Sequence, residues 1–467
     1  MLKTFFLRWI NIFHLFYIFL ERKNIINNLN HIFFINRIIL VFCYEYIIYC
    51  IYNDYKNMII KLTNHLSMEN ILYVKMFQAI ALNNTWIDEE LNQYLLKFTD
   101  NAPYDNNDID WETIEYIMKL GNFTFSSDAS FFKPINSGMI SIVYILQNQK
   151  TKEKFILKLK RVDIEKKIND GIQKIIFLIN VLSFLPIIKQ YHIQDILQKN
   201  IKDIYEQTNF NQEIKNMKLL KEKYKNLKYV KIPDVFDFKD KIIDDKYKNK
   251  FIIMEHINGY NITTLPEEYY ETYAKLVLKF AFASVFNFGI THGDLHSGNI
   301  IFIKDTNNTN NSDNKDKFLL GLIDFGILLK INEDMKYLFI DIFTELFEVS
   351  PIETAKKLIN PIILEPKNVL DKMTSEQHNH IINMCAEIIK NIISESTNIN
   401  QIHFYETVKK INDYLNGEKI SELGLKPSDD FIKLQLAIAM SHGITLKLCK
   451  KNYINITKTV LQEMFYI

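Results

Sequence analysis

THGDLHSGN at 291–299 and LIDFG at 322–326 decide how this chain is read. In the first stretch two histidines, a carboxylate and an amide crowd together with small residues between them, too polar a set to form a core. In the second, an aspartate closes an apolar run. Short strands at NIIFI (299–303) and FLLGLID (318–324) would put Asp294 and Asn299 on one tight turn and Asp324 at the end of the neighbouring strand. Three oxygen-bearing side chains then converge. Hard cations such as Mg²⁺ take such oxygens, a few from protein and the rest from phosphate and water.

Glycine usage strengthens this reading. The 467-residue chain holds 12 glycines, and five of them (Gly289, Gly293, Gly298, Gly321 and Gly326) fall between 289 and 326. Backbone in that stretch needs unusual dihedrals or close approach.

Composition narrows the alternatives. Lysine and arginine number 56 against 55 aspartates and glutamates, a net charge of +1, so no nucleic-acid partner is expected. Cys43, Cys50, Cys385 and Cys449 are scattered without a CxxC pair, which argues against a disulfide framework or a structural zinc site and makes a reducing compartment the default.

Along the chain, two apolar runs come first, TFFLRWINIFHLFYIFL (4–20) and INRIILVFCYEYIIYCIY (35–52). A membrane-spanning reading of the second would set Glu45 near the bilayer centre, at a cost of about 2.5–3.5 kcal/mol. Helices packed on the domain or lying on a membrane surface are the expectation. Lys3 and Arg8 with no acid before Glu21 suit a mitochondrial targeting helix, but the serines and the small-residue cleavage site are missing. Helical spacing dominates 60–121. GMISIVYIL and KFILKLK within 138–160 read as two strands, 163–228 as long helices, VKIPDVFDF and KFIIMEHI as strands, and 270–288 as a helix closed by Gly289. DTNNTNNSDNKDK (305–317) reads as a disordered insert, and 327–467 as helical. The expected divisions are a helical extension over 1–110, a first lobe over 111–254 with a helical insert, and a second lobe over 255–467 with the insert near 304–317.

H-G-D-x-x-x-x-N followed by D-F-G is the layout of a phosphoryl-transfer centre, with Asp294 as base and Asn299 and Asp324 as metal ligands. The plainer reading makes HGD a helix-capping turn and DFG a coincidence; the ordered pair outweighs it. Such a centre also needs a cation for the nucleotide phosphates, and Lys158 lies on a suitable strand. Upstream, Ser137 and Gly138 in PINSGMISIVY form a small-residue turn of the kind that lets backbone N–H groups approach phosphate. His292 and His296 read as scaffold.

In this order the motifs resemble the UbiB family of atypical, protein-kinase-like proteins. VKMFQ (74–78) resembles the family's K-x-G-Q signature and LLKFTDNAP (95–103) the L-x-x-L-x-D-x-x-P that follows it. PINSGMISIVY is similar to the alanine-rich nucleotide loop, FILKLKR to V-A-V-K-V-Q-R, FNQEIKN (210–216) to F/Y-x-x-E-A-x-N, and FIIMEHINGYNI to the hinge. The resemblance implies a two-lobed α+β fold of the protein-kinase type, with a helical N-terminal extension and a mostly helical C-terminal lobe. It also implies ATP or ADP and Mg²⁺ as cofactors, Glu213 as the partner of Lys158, Glu255 near the adenine, and Lys75 as the signature lysine.

Three departures stand out. Phe77 replaces the signature glycine, Met139 is bulkier than the residue usual in the loop, and Gln207-Thr208-Asn209 replaces an E-x-D whose carboxylates the signature lysine is thought to reach while its segment occludes the cleft. Lys75 would meet amides.

The implied activity is an ATPase or kinase in lipid or quinone metabolism at a membrane, mitochondrial or cytoplasmic, with a nucleotide and a lipid membrane or quinone-like lipid as partners and room for a homodimer. HGDLHxGN also resembles the loop of aminoglycoside and choline kinases, which keeps a small-molecule phosphotransferase open. A non-catalytic nucleotide- or lipid-binding protein on the same fold is the third reading.

Overall fold

The computed structural model describes residues 29–70, 72–76, 102–126, 133–182, 201, 204–238, 241–305, 317–345, 350–394 and 426–465. The apolar run at 4–20, Phe77 and Gln78, LLKFTDN at 95–101 and most of the 305–317 insert lie outside them. The chain divides into two compact units, Met1–Lys152 with Leu157–Thr208, and Glu153–Ile156 with Asn209–Ile467.

The first unit opens with helices α1 (Leu29–Tyr52) and α2 (Tyr55–Glu69), turned by Asn53 at φ 53° and started by Asp54, which accepts a hydrogen bond from Asn57 N at 2.9 Å. One face of α1 is packed. Phe34 and Ile35 are buried, the Phe34 ring lies 5.2 Å from that of Tyr73, and Arg37 meets Glu69 at 2.8 Å. Glu45 is on the covered side, 5% exposed and 3.6 Å from His65 Nε2. The opposite face leaves Phe33, Leu40, Tyr44, Ile47 and Ile51 exposed in one stripe, and Phe42, Tyr46 and Tyr52 are exposed outside it. Ile32–Tyr52 is long and apolar enough to cross a membrane by length and composition.

Helix α3 (Trp111–Gly121) begins where Asp110 accepts from Thr113 N at 3.0 Å and ends at Asn122 in the left-handed region. β1 (Phe123–Phe125) and β2 (Asn136–Ser137) both pair antiparallel with β3 (Ser141–Asn148), in registers Phe123↔Asn148 and Asn136↔Val143. Period-2 burial shows on β3, where Ile142, Tyr144 and Leu146 are buried, and on β4 (Lys154–Lys160), where Leu157 and Leu159 are buried. The next residue in that inward phase is Arg161, and it is also buried.

Five hydrogen bonds satisfy its guanidinium. Nε donates to Gly138 O (3.0 Å), one terminal nitrogen to Pro103 O (2.9 Å) and Asp108 Oδ2 (2.9 Å), the other to Ala102 O (3.3 Å) and Ser137 Oγ (2.7 Å). Asp108 is held also by Lys167 at 2.6 Å, at the start of α4 (Ile164–Leu182). Burial pushes the Asp108 carboxyl up, but the Lys167 and Asp105 hydrogen bonds and the Arg161 charge win and hold it below its ordinary value.

The second unit carries α5 (Phe210–Lys223), β5 (Val230–Lys231), β6 (Phe251–Glu255), α6 (Tyr270–Phe282), β7 (Ile290–His292), β8 (Ile300–Asp305), β9 (Lys317–Leu322) and β10 (Leu328–Lys330). VKIPDVFDF, read as a strand throughout, is one only at Val230–Lys231, with a further bridge from Val235 to Met254. Pro233 has no N–H to give a ladder. The 270–288 helix is regular to Phe282 and continues as a π-turn over Ala283–Asn287 before Gly289 at φ 63°.

The region expected to be wholly helical holds α7 (Glu333–Glu345), α8 (Pro351–Leu358), α9 (Ser375–Ser394), α10 (Asp429–Cys449) and α11 (Tyr453–Phe465). It also contains β10 and the two-residue pair β11 (Leu364–Glu365) and β12 (Lys426–Pro427). α10 and α11 pack on α6, and Lys275 meets Glu463 at 2.5 Å.

Asp108→Ala would leave Arg161 buried without its carboxylate. Breaking a buried pair costs about 3–5 kcal/mol, and the lower end is expected because four neutral acceptors remain. A fall in the urea midpoint, larger than that caused by Lys167→Ala, checks it.

Candidate active site

The loop at 291–299 is shaped by what flanks it. β7 pairs antiparallel with β10 in the register Leu328↔His292, and β8 with β9 in the register Ile300↔Leu322. These two ladders bring 292–300 alongside 322–328. Gly293 permits the approach: its N–H donates to Ile327 O at 2.8 Å, and a Cβ there would lie 2.4 Å from Ile327 Cγ2.

His292 is the tie between the two stretches. Its ring is buried (1% exposed), Nδ1 accepts from Asp294 N at 3.1 Å, and Nε2 lies 3.1 Å from Ile323 O. An amide N–H can only donate, so Nδ1 is bare and Nε2 carries the proton it gives to Ile323. Burial lowers the pKa of His292 despite the charges of Asp324 and Asp294, so the ring is held neutral.

Asn299 adds a second tie. It is buried, its Nδ2 donates to Asp294 O at 2.8 Å, and its backbone carbonyl accepts from Ile323 N at 3.0 Å. Asp294 is half-buried, while Asp324 is exposed and sits at φ 61°. A left-handed residue other than glycine costs about 1 kcal/mol or more, and such outliers gather where surrounding bonds over-determine them.

Those bonds come from α5 as well. Asn209 caps the helix by accepting from Gln212 N at 3.1 Å, so the last member of Gln207-Thr208-Asn209 does the capping an aspartate would do there. Glu213, 1% exposed, accepts from Phe325 N at 3.3 Å. Asn216 Nδ2 donates to Phe325 O at 2.8 Å. The carboxylate of Glu255 accepts from Lys231 at 2.5 Å and from Asp234 N at 3.4 Å.

In the first unit, Lys75 lies in a helical stretch at 72–76 and donates to Gln207 Oε1 at 3.1 Å, so the signature lysine meets an amide of the altered segment. Gly138 N donates to Ser141 O at 2.8 Å inside the turn, and Ser137 Oγ accepts from Arg161, which follows β4, so both groups are already engaged. Met139 is buried, and Lys158 is half-buried on β4. Lys158 belongs to the first unit and Glu213 to the second.

Sequence reasoning passed over Arg161 and Asn216 as individual residues. A signal existed for each: Arg161 is a charge in the inward phase of a strand, and Asn216 is three residues beyond Glu213 on the same helix face.

The donors suit a hard cation only in part. Asp294, Asn299 and Asp324 supply two carboxylates and one amide oxygen, and the Asn299 NH₂ is directed to Asp294 O. Among the described residues no group of three or more His, Cys, Asp or Glu could hold a metal by itself. That chemistry fits Mg²⁺ completed by phosphate and water rather than a protein-only cage.

A family description, the ABC1 atypical kinase-like domain, matches residues 107–356, more than half of the chain. The chain belongs to the ABC1/UbiB family of atypical kinase-like proteins. Its fold is therefore the two-lobed α+β kinase-like one. A probable protein kinase UbiB of Shewanella piezotolerans is 25% identical over 274 residues, covering 57% of this chain and 47% of the relative. A putative ABC transporter of Paramecium bursaria Chlorella virus 1 is 20% identical over 268 residues, 57% of this chain and 50% of that protein. The chain spans about half the length of the curated relatives it matches. Among solved structures, the complex of Rv3197 with erythromycin from Mycobacterium tuberculosis aligns with a TM-score of 0.48 at 14% identity, over 79% of this chain and 87% of that one.

A buried neutral histidine has a pH signature. The unfolded chain takes up a proton near pH 6.5 and the folded His292 resists it, so stability is full above that pH and falls as pH drops below it. The unfolding midpoint should decline between about pH 7.5 and 5.5, and less steeply in His292→Gln.

Proposed function

We propose that this chain is an ATP- and Mg²⁺-dependent phosphotransferase or ATPase of the UbiB type, acting in lipid or quinone metabolism at a membrane. One observation carries the reading: the buried imidazole of His292 ties the Asp294 turn to the backbone that presents Asp324. A structural turn would not need a histidine, a carboxylate and a left-handed aspartate held to each other.

In this reading Asp294 accepts the proton of the attacking hydroxyl or orients a water, and Asn299 and Asp324 hold the metal. Lys158 supplies the cation for the nucleotide phosphates, with Glu213 as the carboxylate the family resemblance pairs with it. Bound Mg²⁺ would neutralise charge developing on the transferring phosphoryl group. Positioning and electrostatics, rather than covalent chemistry, supply the rate. The exposed stripe of α1 supports the membrane part of the proposal.

The departure at Gln207-Thr208-Asn209, where Lys75 meets an uncharged amide instead of a carboxylate, supports a second reading, a nucleotide-binding protein without turnover. ATP hydrolysis with Mg²⁺, with and without anionic vesicles, separates the two. Turnover that vanishes in Asp294→Asn and Asp324→Asn is the expected result; Asp294→Asn should retain Mg-ATP binding and Asp324→Asn should lose it. ATP binding without any turnover would leave the binding protein. Gln207→Glu should turn the Lys75 contact into an ion pair and slow turnover; an unchanged rate would remove the occluding role from that segment.

A further inference from the structure

Asp324 presents its carboxylate from a left-handed backbone, so its direction depends on the peptide planes around it. The plane before it is held through Ile323 O by His292, and the one before that through Ile323 N by Asn299 O. The plane after it is held through Phe325 N by Glu213. The Glu213 carboxylate, under the functional proposal, also serves Lys158, so this hold is shared.

The plane that follows Phe325 has a dedicated holder. Asn216 is 7% exposed, and its Nδ2 donates to Phe325 O at 2.8 Å. A carbonyl oxygen can only accept, so the NH₂ side of the amide must face Phe325, and the Oδ1 side then accepts from Gln212 Nε2 at 2.9 Å. Gln212 sets the amide, the amide sets Phe325 O, and the ring of Phe325 is fully buried 5.5 Å from that of His292. None of these bonds involves a charged group, so none changes when Glu213 engages or releases a lysine.

We infer that Asn216 is the positioning residue that keeps Asp324 aimed as a metal ligand, whichever partner Glu213 has. The inference rests on the functional proposal above. Asn216 touches neither substrate nor metal; it acts through the backbone of Phe325. Glu213 and Asn216 thus divide the work on one residue, the acid holding the N–H and the amide holding the C=O.

The test is a Mg²⁺ titration of ATP binding in the full chain, with a parallel measurement in EDTA. Partners that orient a metal ligand cost about 10- to 100-fold in metal affinity when removed. Asn216→Asp keeps the volume but cannot donate as a carboxylate, and it should raise the Mg²⁺ concentration for half-maximal binding by about tenfold. ATP binding in EDTA should match that of the wild type. Asn216→Ala should shift the midpoint in the same direction, and Gln212→Ala, on the exposed side of α5, by less. If both Asn216 variants fail to fold, the Gln212→Ala titration decides. A wild-type Mg²⁺ midpoint in the folded variants, with only the unfolding temperature lowered, would overturn the inference and leave Asn216 as a packing residue. A wild-type protein whose ATP binding ignores Mg²⁺ would overturn the functional proposal, and this inference with it.

Discussion

One buried imidazole organises the second unit. His292 sits on a three-residue strand too short to fix a loop by its own ladder, so the ring does what the sheet cannot. By accepting from Asp294 and donating to Ile323 it fixes two backbone segments about 30 residues apart in the chain, and it can do both only while neutral. Burial secures that neutrality, and the same burial makes the ring a good packing partner for Phe325. The arrangement of Asp294 and Asp324 therefore depends on a residue buried behind them.

The first unit solves a similar problem with a charge. Arg161 follows β4 in its inward phase and meets the Ser137–Gly138 turn, the 102–103 backbone and Asp108. A guanidinium has five donors in a fixed plane, and here all five are used. Such a hub is costly to bury unless every donor is matched, which is why Asp108 and four neutral oxygens surround it. The turn between β2 and β3 is held from behind, and the N-terminal side of the chain is held to it.

Strand periodicity made β3, β4, β8 and β9 readable, because each alternates or runs apolar between polar breaks. The glycine cluster was readable too: Gly289 takes a positive φ and Gly293 meets Ile327. Other features were out of reach for a physical reason. Which side of α1 carries Glu45 depends on α2 and His65, and a helix that is apolar almost all round gives no phase by itself. The 230–238 stretch has strand composition, but Pro233 interrupts it, so it pairs as two short pieces, Val230–Lys231 with β9 and the residues around Val235 with β6. Local phase marks Arg161 and Asn216 as inward-facing, but their partners are backbone groups 23 to 109 residues away, and a local pattern does not name those.

The hydrogen bonds separate the two outer members of the Gln207-Thr208-Asn209 departure. Asn209 caps α5 as an aspartate would, since capping needs only an oxygen acceptor. Gln207 accepts from Lys75, but without a charge of its own; the ionised donor still makes this a charge-assisted bond, and what a carboxylate would add is the attraction of a second charge. At Gln207 the charge of the partner is missing, while at Asn209 the cap of α5 is made. The bonds from Glu213 and Asn216 to Phe325 include nothing from the segment at 72–76, so a loosened signature does not loosen the hold on Phe325.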